Sequence, residues 1–128
     1  MQPLPHLSPV NSDISQPDRT DVVIIGAGIA GIATALELGE RGLGVVVFEK
    51  GVVAGEQSSR NWGWCRRMGR DPRELPLIQE SMALWQQMHQ RTGEDVGFRE
   101  CGIAYLSNDE KKLAGRQQWC EEHAKPNG

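Results

Sequence analysis

Cysteines, aromatic side chains and long apolar runs are all scarce in this sequence, and each shortage narrows what it can be. The three cysteines, Cys65, Cys101 and Cys120, are odd in number and show no CxxC spacing, which argues against both a disulfide framework and a zinc site. A reducing, cytoplasmic compartment is the expectation. The longest apolar stretch falls far short of the roughly 20 residues that span a bilayer, so no membrane span is expected. Net charge is -3 with both signs interspersed, leaving no basic footprint for nucleic acid and no polybasic patch for a membrane surface. Residues 1–18 hold four of the seven prolines and lack the apolar and charged regions of a secretory signal, so they read as a disordered leader.

What the sequence does have is concentrated in residues 21–50, DVVIIGAGIAGIATALELGERGLGVVVFEK. Val22, Val23, Ile24 and Ile25 form a continuous apolar run, as a parallel strand buried on both faces requires. The turn that follows is Gly26, Ala27, Gly28, Ile29, Ala30, Gly31, a GxGxxG pattern. Gly26 permits the sharp turn, Gly28 lets backbone approach a pyrophosphate, and Gly31 lets the following helix pack closely on the strand. That helix opens near Gly28 and aims its free N–H groups and positive dipole end at the anion, so the ligand is expected to be held mainly by backbone. Ala35 and Leu38 fall on its inward face, and Gly42 or Gly44 ends it. Val45, Val46, Val47 and Phe48 then return as a second parallel strand with Glu49, followed by Lys50, at its carboxyl end. An acid about 20 residues beyond the glycines hydrogen-bonds ribose hydroxyls and repels a 2′-phosphate, so FAD or NAD is preferred over NADP.

A chain of 128 residues is one ordinary domain at most. The unit just described uses about 30 residues, whereas a doubly wound sheet needs several more parallel strands, and no second βαβ pattern follows. The last residues, 121–128, read as a helix running into a turn. The expectation is therefore the N-terminal portion of a longer enzyme: an α/β chain with an incomplete Rossmann-like FAD/NAD(P)-binding unit and the start of a second, substrate-domain sheet.

Residues 51–70 are glycine-rich, polar and basic, with no regular periodicity. Lying directly after the ribose-binding strand, the segment would cross near a cofactor, where serine hydroxyls and Arg60 suit phosphate oxygens and Asn61 suits a polar ring edge. Trp62 or Trp64 would wall an isoalloxazine ring. Arg66, Arg67 and Arg70 read as solvated, and Cys65 and Met68 as packing residues.

A glycine turn, then an acid, then the run Ser58, Ser59, Arg60, Asn61, Trp62, Gly63 resembles the D-amino acid oxidase and glycine oxidase superfamily of FAD-dependent oxidoreductases. The resemblance covers nearly everything after residue 20 and thins beyond residue 70. It implies FAD rather than NAD, bound noncovalently. Gly26, Gly28, Gly31 and Glu49 would hold the ADP half, and Ser58, Ser59, Arg60 and Asn61 would lie along the pyrophosphate and toward the flavin. It also implies oxidation of a C–N bond in a small amine or amino acid, with the substrate-carboxylate groups supplied from later sequence. Two alternatives stand beside it: a catalytically inactive dinucleotide-binding module or relic, and part of an NAD-dependent dehydrogenase or another flavin enzyme.

Downstream, Asp71 and Pro72 read as an N-cap with proline at the first helical position, opening a helix from residue 72, or from Pro76, to about residue 92 with Gly93 as its stop. Ile78, Met82, Trp85 and Met88 recur at helical spacing as a packing stripe, with His89 a surface residue beside it. Residues 96–106 suit a strand that would begin the substrate-domain sheet, with Tyr105 in core or interface rather than catalysis. Ser107, Asn108 and Asp109 then start a helix over residues 109–124 with a weak apolar face of Leu113, Cys120 and Ala124. The domains expected are a leader over 1–18, a FAD-binding unit with its cofactor loop over 19–70, a packing helix over 71–93, and the start of a substrate domain over 94–128.

Overall fold

A computed structural model of the chain describes residue 7 and residues 9–127, which divide into two units, Met1–Gly63 and Trp64–Gly128. Of the leader, residue 7 and residues 9–18 carry no helix or strand, and the rest lies outside the described residues.

In the first unit, β1 (Val22–Ile25), α1 (Ile29–Glu40) and β2 (Val45–Phe48) follow one another, and the strands pair in parallel from Val22 opposite Val45 to Ile25 opposite Phe48. The near end of the pair is fixed by Asp21, whose Oδ2 accepts from Gly44 N at 2.7 Å, and by Thr20, whose hydroxyl donates to Gly44 O at 2.8 Å. The far end is fixed by Gly26 N donating to Phe48 O at 2.7 Å. Gly42, not Gly44, ends α1: at φ 80° it donates to Gly39 O (2.9 Å) while Leu43 N reaches back to Leu38 O (3.1 Å). This pair of bonds satisfies carbonyls that the helix end leaves open.

Burial along β1 is one-sided. Val22 and Ile24 are half-buried, whereas Val23 is 54% and Ile25 90% exposed, which corrects the expectation of a strand buried on both faces. The reason is numerical: one helix covers one face of a two-stranded sheet. Ala35 and Leu38 are half-buried, on the expected side of α1.

The second unit opens with one 3-10 turn, Pro72–Glu74, capped by Asp71 Oδ1 accepting from Arg73 N at 2.9 Å. Then α2, Leu75–Thr92, carries Pro76 in its first turn, so each proline marks a start: one of the 3-10 turn, the other of the α-helix. Gly93 closes α2 at φ 74°, donating to His89 O. Ile78, Met82, Trp85 and Met88 are all half-buried, and Trp85 stacks on Phe98 with ring centroids 6.2 Å apart.

The strand expected over residues 96–106 does not form; among the described residues the sheet has two strands only. Gly97 and Gly102, at φ 72° and 70°, interrupt the extended run, and no neighbouring strand offers it a ladder. Local side-chain bonds hold it instead, with Asp95 accepting from Gly97 N and from the Arg99 guanidinium. The next helix, α3 (Glu110–Trp119), is capped by Asp109 and runs on through a π-helical turn, Cys120–Ala124, into a last short helical turn, Lys125–Asn127. Its covered side is Arg116, Trp119, Cys120, His123 and Ala124, while Leu113 is exposed. Met68 is half-buried with its sulfur 3.7 Å from Cys120 Sγ, whereas Cys65, expected to pack, is exposed. Arg66 is not merely solvated: half-buried, it donates to Met68 O at 2.8 Å, with Tyr105 Oη 3.5 Å from the same nitrogen.

Two glycines of α1 give opposite expectations. A Cβ at Gly31 would lie 2.0 Å from Gly26 O, while one at Gly39 would meet nothing within 4 Å. Gly31→Ala is expected to destabilise the chain by about 2 kcal/mol or more, and Gly39→Ala to stabilise it by about 0.5 kcal/mol. Urea unfolding of the two variants beside the parent would show both signs.

Candidate functional site

Apolar residues stop at Ile25 and Phe48, so both strands deliver their carboxyl ends to the same edge of the sheet, where ligands of α/β units bind. A cleft of about 360 Å³ opens there, lined by Gly26, Gly28, Phe48, Glu49, Lys50 and Ser58 together with Ala54, Gly55, Glu56 and Gln57. Of the positions expected to bind a cofactor, 26, 28, 49, 50 and 58 are thus brought to one place, while Ala27, Ile29, Ala30 and Gly31 do not line the cleft.

Ala27 lies beneath the glycine turn at 2% exposure, and its backbone is held at both ends. Its N–H donates to Glu49 Oε2 at 2.8 Å, and its carbonyl accepts from Ala54 N at 2.9 Å. The other carboxylate oxygen of Glu49 accepts from Gly51 N at 2.9 Å. These bonds favour the ionised form: first the Ala27 N–H, then the Gly51 N–H, hold the Glu49 carboxyl below its ordinary value. A carboxylate has about four acceptor sites, so two backbone bonds leave it able to accept from hydroxyl groups as well.

At the start of α1, Gly28 is the N-cap in extended conformation, and Ser58 Oγ accepts from Ile29 N at 2.8 Å. The serine oxygen occupies the position of an anionic oxygen at a helix N-terminus. It is also the atom that crowds a side chain in the middle of the turn, since a Cβ on Gly28 would stand 3.1 Å from it. Gly31 is required by the turn itself, through Gly26 O.

The rest of the serine-arginine-asparagine run turns on itself. Ser59 Oγ donates to Glu56 O at 3.1 Å, the Asn61 side-chain amide donates to Ser58 O, and Asn61 Oδ1 accepts from Gly63 N at 2.6 Å. Arg60 caps the short 3-10 turn Gln57–Ser59, and Ser59, Arg60 and Asn61 do not line the cleft. Lys50 faces Glu56 at 3.8 Å, both well exposed. Ala54 and Gly55 escaped the sequence reading. Gly55 offered the ordinary turn signal, but alanine is not a turn residue, and nothing local marks Ala54 as left-handed at φ 58°.

The arrangement fits the ADP half of a dinucleotide: a glycine cradle that a Cβ would fill, a helix N-terminus beside it, and a carboxylate fixed at the end of the second strand. Among the described residues no group of three or more His, Cys, Asp or Glu could hold a metal ion.

Glu49 makes stability depend on pH in a defined direction. With its folded pKa lowered, its contribution is present above the unfolded value near 4.5 and is lost as pH falls through the folded value. Glu49→Gln is expected to flatten the acid limb of stability below about pH 4.5, and denaturant midpoints taken across that range in both proteins provide the comparison. An unchanged acid limb would mean that the bond to Ala27 does not select the ionised form.

Comparison with known proteins gives the family. Residues 21–128 match the family model described as FAD dependent oxidoreductase (DAO). Glycine oxidase of Geobacillus kaustophilus is 32% identical over 101 residues, covering 73% of this chain and 27% of that protein. N-methyl-L-tryptophan oxidase of Yersinia pestis is 30% identical over 93 residues, covering 70% and 24%. The solved structure of L-amino acid deaminase from Proteus vulgaris superposes with a TM-score of 0.85 at 37% identity, covering 93% of this chain and 28% of that one. The homologue from Proteus myxofaciens, in complex with anthranilate, gives 0.83 at 37% identity, covering 95% and 27%. The chain thus spans about a quarter of the length of the relatives it matches. With a family match from residue 21 to residue 128, an α/β fold shared with solved relatives and FAD rather than NAD as the family's cofactor, the chain belongs to the FAD dependent oxidoreductase (DAO) family.

Proposed function

We propose that this chain is the N-terminal FAD-binding portion of a flavin-dependent oxidoreductase that oxidises a C–N bond of an amine or amino acid. The observation that carries the reading is the meeting of Glu49, Ala27 and Ser58 at the mouth of the glycine turn, in a family whose cofactor is FAD. The names of the relatives, an oxidase of glycine, an oxidase of N-methyl-L-tryptophan and a deaminase of L-amino acids, favour an amino-acid substrate.

In this reading the chain supplies an incomplete Rossmann-like unit. Gly26, Ala27, Gly28, Ile29, Ala30 and Gly31 hold the pyrophosphate by backbone, and Glu49, with Lys50 beside it, accepts from the ribose of the ADP half. The Ser58 hydroxyl accepts from Ile29 N and keeps its own proton for a phosphate oxygen. Ser59, Arg60 and Asn61 lie further along, toward the flavin. FAD, when bound, supplies the two-electron oxidation; this chain's residues bind it, orient it and keep a 2′-phosphate out. Residues 19–70 form the binding unit with its cofactor loop, residues 94–128 begin the substrate domain, and the groups that hold the substrate carboxylate belong to the remainder of a full-length enzyme. Free thiols at Cys65 and Cys101 suit a cytoplasmic setting, and no helix among the described residues is long and apolar enough to cross a membrane.

The test is a flavin-fluorescence titration of the chain with FAD and, separately, with FMN, which lacks the ADP half. FAD is expected to bind at least tenfold tighter than FMN, and Glu49→Ala to weaken FAD by roughly tenfold to a hundredfold while leaving FMN unchanged. Equal affinity for the two flavins, or no binding of either, would remove the ADP-half assignment and leave an inactive module as the better description.

A further inference from the structure

The most strained position in the first unit lies outside the residues so far given a role. Among the described residues, Ala54 is the one non-glycine residue with positive φ, at 58°. It is the third residue of a turn over residues 52–55, closed by Gly55 N donating to Val52 O at 2.8 Å. Glycine suits that third position, because a left-handed conformation crowds any Cβ. Nor does the next residue offer relief, since a Cβ on Gly55 would lie 2.9 Å from Val52 O. A residue persists in such a conformation only where its surroundings impose it.

Four bonds impose it here, three of them to the glycine turn. Ala54 N donates to Ala27 O, upstream Glu49 binds Ala27 N and Gly51 N, and downstream Ser58 binds Ile29 N. The segment from residue 49 to residue 58 therefore grips the glycine turn at three backbone groups: the N–H of Ala27, the carbonyl of Ala27 and the N–H of Ile29. Fixing both ends of the Ala27 residue sets the orientation of the peptides on either side, including those of Gly28 at the helix mouth.

We infer that the turn over residues 52–55 is a clamp that preorganises the glycine turn, and that Ala54 is its positioning residue. The left-handed backbone of Ala54 directs its N–H at Ala27 O, so the cradle takes its shape before any ligand arrives and a ligand need not supply the ordering. That the cradle serves a pyrophosphate rests on the FAD reading above; the clamp itself does not.

Site-resolved amide hydrogen exchange of the chain without cofactor tests it. In the parent, the amides of Ala54, Ala27 and Ile29 are expected to be protected together. Ala54→Val places a β-branched residue where it is least tolerated, and is expected to speed exchange at all three by about tenfold while Gly26 N, in the β1–β2 ladder, keeps its rate. Ala54→Gly retains the N–H and relieves the strain, so it is expected to preserve the protection and to slow global exchange by roughly fivefold. A merely structural role for Ala54 would move the ladder amide along with the other three, and that result overturns the proposal. So does unprotected exchange at Ala27 in the parent, or loss of protection in Ala54→Gly. A chain that passes these tests yet fails to prefer FAD over FMN keeps the clamp and loses the cofactor reading.

Discussion

The bond from Ala27 N to the Glu49 carboxylate is the constraint on which the rest of the first unit depends. It joins Ala27, two residues past the end of β1, to the residue immediately after β2, across 22 positions of sequence. Asp21 does the same at the opposite end, where its carboxylate takes the N–H of Gly44. Two acids thus pin a strand pair of four residues each at both of its ends, where a ladder so short would otherwise fray. Because Glu49 is bound by two N–H groups, its charge also lies where the positive end of α1 opens, and the electrostatics of the turn and of the strand pair reinforce one another.

Stability in this unit comes more from such polar pinning than from a core. Across the described residues only Ala27 and Leu75 are buried, while Ile25, Val23, Ile29 and Phe48 present large apolar surfaces around the carboxyl edge of the sheet. In relatives four times as long, further chain is available to cover them. One helix on one side of two strands accounts for the imbalance without any special property of the sequence.

The second unit is organised differently. Its elements are capped by local chemistry, with Asp71 at the start of the 3-10 turn that precedes α2, Gly93 at the end of α2 and Asp109 at the start of α3, and between α2 and α3 runs an irregular segment held by side chains. Phe98 stacks on Trp85, and Tyr105 is met by Arg66 at its hydroxyl and by Arg116 over its ring at 5.3 Å. These contacts take up aromatic residues whose β-propensity would otherwise have argued for a strand.

Local pattern made the βαβ unit legible in the sequence. The apolar runs, the glycine turn, the positive-φ stops at Gly42 and Gly93 and the aspartate caps each act within a few residues, and each appears in the structure where the pattern put it. The acid at the end of β2 was also legible, because a fixed strand and helix length carries it to the turn. Tertiary structure alone decided the rest. It sent the Ser58 hydroxyl back 29 positions to Ile29 N, bound the carboxylate of Glu49 to backbone before any ligand, and put Ala54 into a conformation its side chain does not favour. It also left residues 96–106 without a ladder and one face of β1 uncovered. The physical reason is the same in every case: caps and turns are settled by neighbours along the chain, whereas a strand's partners, a carboxylate's donors and a strained turn's support come from residues that only folding brings near.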